Sequence, residues 1–485
     1  MRALRPGPRP ARPRPRGAAL LVVMVSLAIL TALSVDLAYE TRVRLQIAVN
    51  GRDELRATYL AKSAVSFSRL VLAFQQQIDQ ASGAACQVMG ALTGGTAAAA
   101  GSATAAGTAG TGGAGGQAAA ACPRPQIWEL VPVSSGLVQA LFGEAGPAAR
   151  AAAAEGAPPQ ARFGDFEGGF ASKIEDEGRK VNVQLDALQT SGLLGPQVEA
   201  ILRLVCDARW DPLFDREDAE GQRWTRNDLL LHLRDWVDDD EAGSALAVSY
   251  PGGDGCTFVV PANPFEKGFS DENRPYDHGR DRYRAKNARF DSLAELSLVA
   301  GVSDAFLAAF GDRLTVYLPR EAKINVNTSE PSDQMRIAWM MAEPAAQPLL
   351  LDPAFPQKLQ RALSDVRMGG LMALTPPQFA AVVAALGVPV RADYLAQSPK
   401  SPFTDRSAAF RIRAFGNAGA VSKTIDAVVT FDPNQNQPAG TAPIAGAAGA
   451  APPAAGTPDA GNPLTTALQG QAGISSGRLI HWREE

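Results

Sequence analysis

The residues best suited to chemistry sit in one short run, "HLRDWVDDDEAG", His232 to Gly243. There Asp235, Asp238, Asp239, Asp240 and Glu241 place five carboxylates within seven residues around Trp236. Oxygen ligands so close together suit a hard cation such as Ca2+, which takes about six to eight of them. The run is not an EF-hand loop, because the glycine and the terminal bidentate glutamate are not where that motif needs them. A solvated acidic helix end is the plain alternative from these residues alone. Enzyme chemistry is not expected: the chain has no GxSxG, no HExxH and no phosphate-cradling glycine loop, and its histidines, His232, His278 and His481, are scattered.

Four cysteines, Cys86, Cys122, Cys206 and Cys256, lack the close spacing of a zinc or redox motif. If the chain leaves the cytoplasm, an even number is compatible with two disulfides. The sequential pairing, Cys86 with Cys122 and Cys206 with Cys256, is the one of three taken here, with buried free thiols as the alternative. A net charge of −4 offers no broad basic surface, so no nucleic-acid partner is expected.

The first forty residues set the topology. A basic, proline-broken leader ends at "RG", Arg16 and Gly17, and Ala18 to Val35 then carries no charge, with Ser26, Thr31 and Ser34 as its polar residues. As a helix this run is roughly 27 Å long, enough to cross the hydrocarbon core of a bilayer, and the arginines favour keeping the leader in the cytoplasm. Apolar residues recur among charged ones to Phe74, and no proline occurs between Pro15 and Pro123. One helix to about Gln80 is therefore expected, weakened only at Gly51. Three fates remain for this end: a secretory signal cut near "TALS", Thr31 to Ser34; an uncut anchor; or a cut after Gly17 that retains the apolar helix. The long amphipathic continuation favours the last.

Two low-complexity segments, 90–121 and 433–477, are too poor in large apolar groups to offset their ordering entropy and read as loops. Between them lies core-forming sequence. Phe170 to Val183 reads as strand, turn and strand. Helices are expected over Pro196 to Val205, over Arg226 to Val237 behind Thr225, and over Thr375 to Gly387. Phe290 to Tyr317 reads as helix, turn, helix and strand, and Lys323 to Met341 as a short strand and a helix. Ala408 to Asp432 reads as a hairpin about an Asn/Gly turn, and "RLIHWREE", Arg478 to Glu485, as a returning strand. The asparagines of "KVNV" and "KINVNT" fix strand ends through side-chain bonds to backbone. "VAGVSD", Val299 to Asp304, has a single glycine and an acid where a DNA-binding helix-hairpin-helix presents two glycines, so phosphate would be repelled.

Taken in order, the leader, "DEGRKVNV", "RDWVDDDEAG", "YRAKNARFDSLAELSLVAGVSDAF", "LTVY", "KINVNT" and the closing strands resemble the K-type minor pseudopilins of type II secretion, the general secretion pathway protein K family. Most pilin-like proteins have Glu as the fifth mature residue, and its absence, here Val22, characterises that family. The resemblance implies cleavage by prepilin peptidase between Gly17 and Ala18 with methylation of the new amine. It also implies an α+β fold, in which a long N-terminal helix and a pilin-like antiparallel sheet domain accept a large inserted all-α domain. The corresponding division is leader 1–17, helix 18–80 with a membrane span at 18–35, sheet domain 81–185 and 400–485, and helical insert 186–399 with helix-hairpin-helix-like elements. A single pass through the inner membrane would leave the bulk of the chain in the periplasm. It would sit at the tip of a pseudopilus, bound to the I- and J-type minor pseudopilins, and serve protein export across the outer membrane. Calcium in the family makes Asp235, Asp238, Asp239, Asp240 and Glu241 candidate ligands as a group. Where the family continues with Gly-x-Glu-Asp-x-x-Tyr, this chain has "GSALAVSY". An uncleaved, membrane-anchored envelope binding protein with helix-hairpin-helix-like modules is the alternative.

Overall fold

The computed structural model describes residues 16–93, 124–137, 162–163, 166–215, 217, 221–250, 256–277, 282–395, 401–431 and 477–485. The fold is α+β. In chain order its main elements are α1 (Arg16–Thr93), β1 (Val133–Ser134), β2 (Gly169–Asp176), α2 (Leu194–Val205) and α3 (Arg226–Asp235). A hairpin of β3 (Ala242–Leu246) and β4 (Phe265–Asp271) follows, then α4 (Asp304–Phe310), α5 (Pro331–Met341), α6 (Phe355–Val366) and α7 (Pro376–Ala385). The chain closes with β5 (Ala409–Ala418), β6 (Val421–Thr430) and β7 (Arg478–Glu484).

Five strands form one antiparallel sheet in the order β1-β2-β5-β6-β7. Alternation along its strands supplies two apolar faces. Phe410, Ile412, Ala414, Ile425, Ala427 and Val429 meet Ala57, Leu60, Ala61, Ala64 and Leu72 of α1. From the opposite face Ala409 and Val428 enter the larger core, built on α2, α3 and the later helices. The sheet is thus a middle layer, with α1 on one side and the helical block on the other.

Small residues let α1 approach the sheet backbone. A Cβ at Gly416 would lie 2.1 Å from the Ala57 carbonyl and 2.5 Å from the Ala61 nitrogen, so only glycine fits that point of β5. Three positions further on, Gly419 has φ +57 and starts the two-residue turn to β6, with Ala418 paired to Val421. The turn is therefore Gly419-Ala420, and Asn417 belongs to β5 rather than to the turn.

The helical block follows the expected periodicities. Thr225 with Asp228, and Thr375 with Gln378, form reciprocal capping boxes that satisfy the first donors of α3 and α7. The first turn of the Phe290–Tyr317 segment differs from expectation: Leu293–Leu298 is a 3-10 helix. Ser297 Oγ donates to the Ala294 carbonyl three residues back, a local bond that suits the tighter winding. Neither the β3–β4 hairpin nor α6 was legible from pattern. A Cys206–Cys256 disulfide, its Cα atoms 5.0 Å apart, ties the end of α2 to the segment leading into β4. The other expected pair lies outside the described residues, since Cys122 is not among them and Cys86 is described only by its backbone in α1. The 90–121 and 433–477 segments likewise lie outside them, apart from 90–93, which continue α1, and Gly477.

The helix is long. At 78 residues, α1 extends thirteen residues past the expected end at Gln80. It is one helix long and apolar enough to cross a membrane by length and composition, and its apolar N-terminal part is exposed among the described residues. Gly416→Val should cost about 3 kcal/mol or more, because backbone atoms of α1 cannot give way to the new methyl groups. Gly51→Ala, at a site with nothing within 4 Å, should raise stability by up to about 1 kcal/mol. Denaturant melts of both variants in detergent check the pair of opposite signs.

Candidate cation site

Three elements deliver three carboxylates to one point. α3 carries Asp235 at its C-terminal end, the turn that follows carries Asp238, and Glu272 follows the last residue of β4. One oxygen of each lies within 4.8 Å of the others, and all three side chains are buried. The pairing of Ala242 with Asp271 sets this convergence, since it returns the chain to the end of α3 after the hairpin excursion.

Local packing explains why the hairpin closes so tightly. Asp235 Oδ1 accepts the Ser244 N–H at 2.9 Å, tying the end of α3 to β3. A Cβ on Gly268 would lie 2.3 Å from the Gly243 carbonyl, so the strands can meet there only through glycine. Trp236 is buried beneath the turn, stacked on Phe290 with ring centroids 6.1 Å apart and edge-on to Tyr276 at 5.6 Å. Asn287, with φ +50, donates from Nδ2 to the Asp240 carbonyl at 2.9 Å and closes the turn from the far side.

Among the described residues, Arg234 is the cation paired with this cluster. Arg234 Nε lies 3.3 Å from Asp238 Oδ2, and its Nη1 donates to the Leu185 carbonyl. The remaining Asp238 oxygen and both Glu272 oxygens are buried without a donor at hydrogen-bonding geometry. Burial pushes the Asp238 carboxyl up to about 7; Arg234 opposes the shift, and the neighbouring carboxylates of Asp235, Asp240 and Asp239 add to it. Glu272 is likewise pushed up to about 7 by burial, with Asn287 opposing and Asp238, Asp235 and Asp240 adding. Burial also raises Asp235, against its bonds to Ser244. Like charges gathered in low dielectric resist ionisation together.

This donor set fits a hard divalent cation. A cation would supply the positive partner that the orphaned oxygens lack, and the three carboxylates provide part of the oxygen shell that calcium takes. Of the five acids singled out by sequence, Asp235 and Asp238 are in the cluster. Asp239, Asp240 and Glu241 are exposed and outside it; Asp240 instead accepts the Ala242 N–H at 2.8 Å. Glu272 was missed. It lies 31 positions beyond Glu241, and only the hairpin, which gave no strong alternation, could have signalled it.

The sequence-derived processing residues lie elsewhere. Gly17 and Ala18 fall in the first turn of α1, and Val22 is exposed one turn later. No family model matches the chain, and no curated protein matches it. Among solved structures it is similar to a chain of the GspK-GspI-GspJ complex from the enterotoxigenic Escherichia coli type 2 secretion system. The identity is 16%, with a TM-score of 0.34, over 57% of this chain and 81% of that one.

A carboxyl whose pKa is raised by folding stabilises the fold fully below its unfolded value, and this contribution disappears as pH rises through the folded value. For Asp238 and Glu272 the window runs from about 4 to about 7. Metal-free protein should therefore melt at lower temperature at pH 8 than at pH 6, and added Ca2+ should restore the loss. Glu272→Gln should raise the metal-free melting temperature at pH 8 and abolish the calcium-dependent increment, as scanning calorimetry with and without a chelator would register.

Proposed function

We propose that this chain is a minor pseudopilin of the K type: a non-catalytic subunit that caps the tip of a type II secretion pseudopilus and helps start its assembly. The observation that carries this reading is α1. Its segment from Leu20 to Val35 is apolar and exposed on every side, whereas from Ala57 to Leu72 the same helix is built into the sheet. An exposed apolar helix end needs either lipid or other helices around it, and a pseudopilus supplies both in turn.

Val22 fits the tip. In a staggered helix bundle a carboxylate at this position can neutralise the N-terminal amine of the neighbouring subunit in apolar surroundings. A subunit with nothing above it has no such amine to meet. The helical block on the outer face of the sheet adds bulk that would obstruct further subunits on that side. Growth would then proceed only from below.

The remaining features agree with a periplasmic location for the bulk of the chain, behind a single inner-membrane span. The Cys206–Cys256 disulfide suits an oxidising compartment. Calcium at Asp235, Asp238 and Glu272 would act structurally, fixing the β3–β4 hairpin against α3. Prepilin peptidase would process the chain, and the I- and J-type minor pseudopilins would be its partners.

Co-expression with I- and J-type minor pseudopilins and prepilin peptidase tests this reading. The full-length gene product should co-purify with both partners, and Val22→Glu should lower the recovered complex and the amount of pseudopilus formed. Absence of any complex with the wild-type chain would point instead to a separate envelope binding protein. Normal assembly by Val22→Glu would show that the missing carboxylate carries no weight.

A further inference from the structure

Outside the acidic cluster, though sharing Phe290 with its packing, a cleft of about 950 Å3 opens where the chain leaves β6 at Phe431 and enters β7 at Arg478. Arg289, Arg320 and Arg406 supply its cationic walls, with Lys323 and Arg478 also on the lining but engaged by partners of their own, and Asp291 and Glu321 are the carboxylates on the same lining. The excess is local, because the whole chain carries a net charge of −4. Asp291 is moreover engaged by Lys286, which lies outside the cleft, at 2.7 Å.

Two of these cations, Arg289 and Arg320, are held in place by the fold. Buried Asp186 receives both Arg289 Nε at 3.0 Å and Arg320 Nε at 3.2 Å, so one carboxylate serves two guanidinium groups and a positive charge remains over. Arg289 Nη2 also donates to the Leu318 carbonyl at 2.6 Å, which fixes its direction. Between the charged walls lie half-buried apolar groups: Ala322, Pro319, Phe431 and Ile480. Basic walls over an apolar floor call for a ligand that carries both kinds of group.

We propose that this cleft binds an extended acidic segment of another protein, with its carboxylates on the arginine walls and an apolar side chain against Phe431 and Ile480. An inorganic phosphate or a sugar-phosphate chain would use the cations and leave the apolar floor uncovered. A volume of this size also exceeds what one small anion fills. Bidentate pairing of arginine with carboxylate would give the geometric selectivity, and the electrostatic part of the affinity would weaken with salt.

The test is fluorescence anisotropy on the detergent-solubilised full chain, with a fluorescein-labelled ten-residue peptide of alternating Glu and Phe. Matched peptides carry Lys in place of Glu, or Gly in place of Phe. The Glu/Phe peptide should bind in a salt-sensitive way, the Lys version should not bind, and the Phe-free version should bind more weakly. Arg406→Glu and Arg320→Gln should each weaken binding roughly tenfold. Arg406 is exposed, so its variant is the less disruptive of the two and carries the test if Arg320→Gln proves unstable. Binding unchanged in Arg406→Glu, no binding of the Glu/Phe peptide at low salt, or equal binding of the Phe-free peptide would each overturn the proposal, the last in favour of a general polyanion site.

Discussion

Everything in this fold depends on the backbone-to-backbone contact between α1 and the middle strand of the sheet. Ala57, Ala61 and Gly416 remove the side chains that would hold the two apart, and the larger Leu60 and Leu72 seal the contact on either side. Such proximity leaves little room for rocking, so the direction of the helix is set by the sheet. The exposed apolar end of α1 is then aimed by a contact roughly 50 Å or more along the same helix axis. If that end is held by a membrane or by neighbouring helices, as proposed, a rigid lever of this kind would convert their position into the position of the folded domain.

The helical block is joined to this lever through buried charge. Arg411, on the outer face of β5, donates to Glu177 Oε1 at 2.7 Å and to Asp426 Oδ1 at 3.1 Å, while Lys180 reaches Glu177 at 2.9 Å. Burial alone would raise the Glu177 carboxyl, but Lys180 and Arg411 outweigh it and hold the group below its ordinary range. One residue earlier, Asp176 accepts from Asn325 Nδ2 at 2.7 Å and from the Gly178 N–H at 2.7 Å. There burial wins, and the carboxyl is raised. These bonds link the end of β2, the sheet and the Ile324–Asn325 strand, so the insert is fixed to its host by directional contacts as well as by packing.

Much of this was legible because local rules were strong. Proline-free sequence and apolar spacing marked α1, capping residues marked α3 and α7, and alternation marked β5 through β7. The asparagine readings were also physical: Asn182 and Asn325 accept backbone N–H groups two residues on, and Asn327 accepts the Leu374 N–H. What escaped were features decided at long range. β3, "AGSAL", has too few large side chains to alternate, and its pairing with β4 depends on glycines whose role appears only when two strands meet. Glu272 was invisible for the same reason: its partners Asp238 and Asp235 are 34 and 37 residues away in sequence. The acidic run drew attention to Asp235 and Asp238, but charge density alone could not separate these buried acids from their exposed neighbours.

The central claim is that α1 is kept and begins a new chain end at Ala18. N-terminal sequencing and intact mass of the membrane-extracted protein test it most directly. The account predicts a chain starting at Ala18, its mass consistent with a methylated amine, and retaining the whole apolar run. An intact arginine leader, or a start after Ser34, would contradict it.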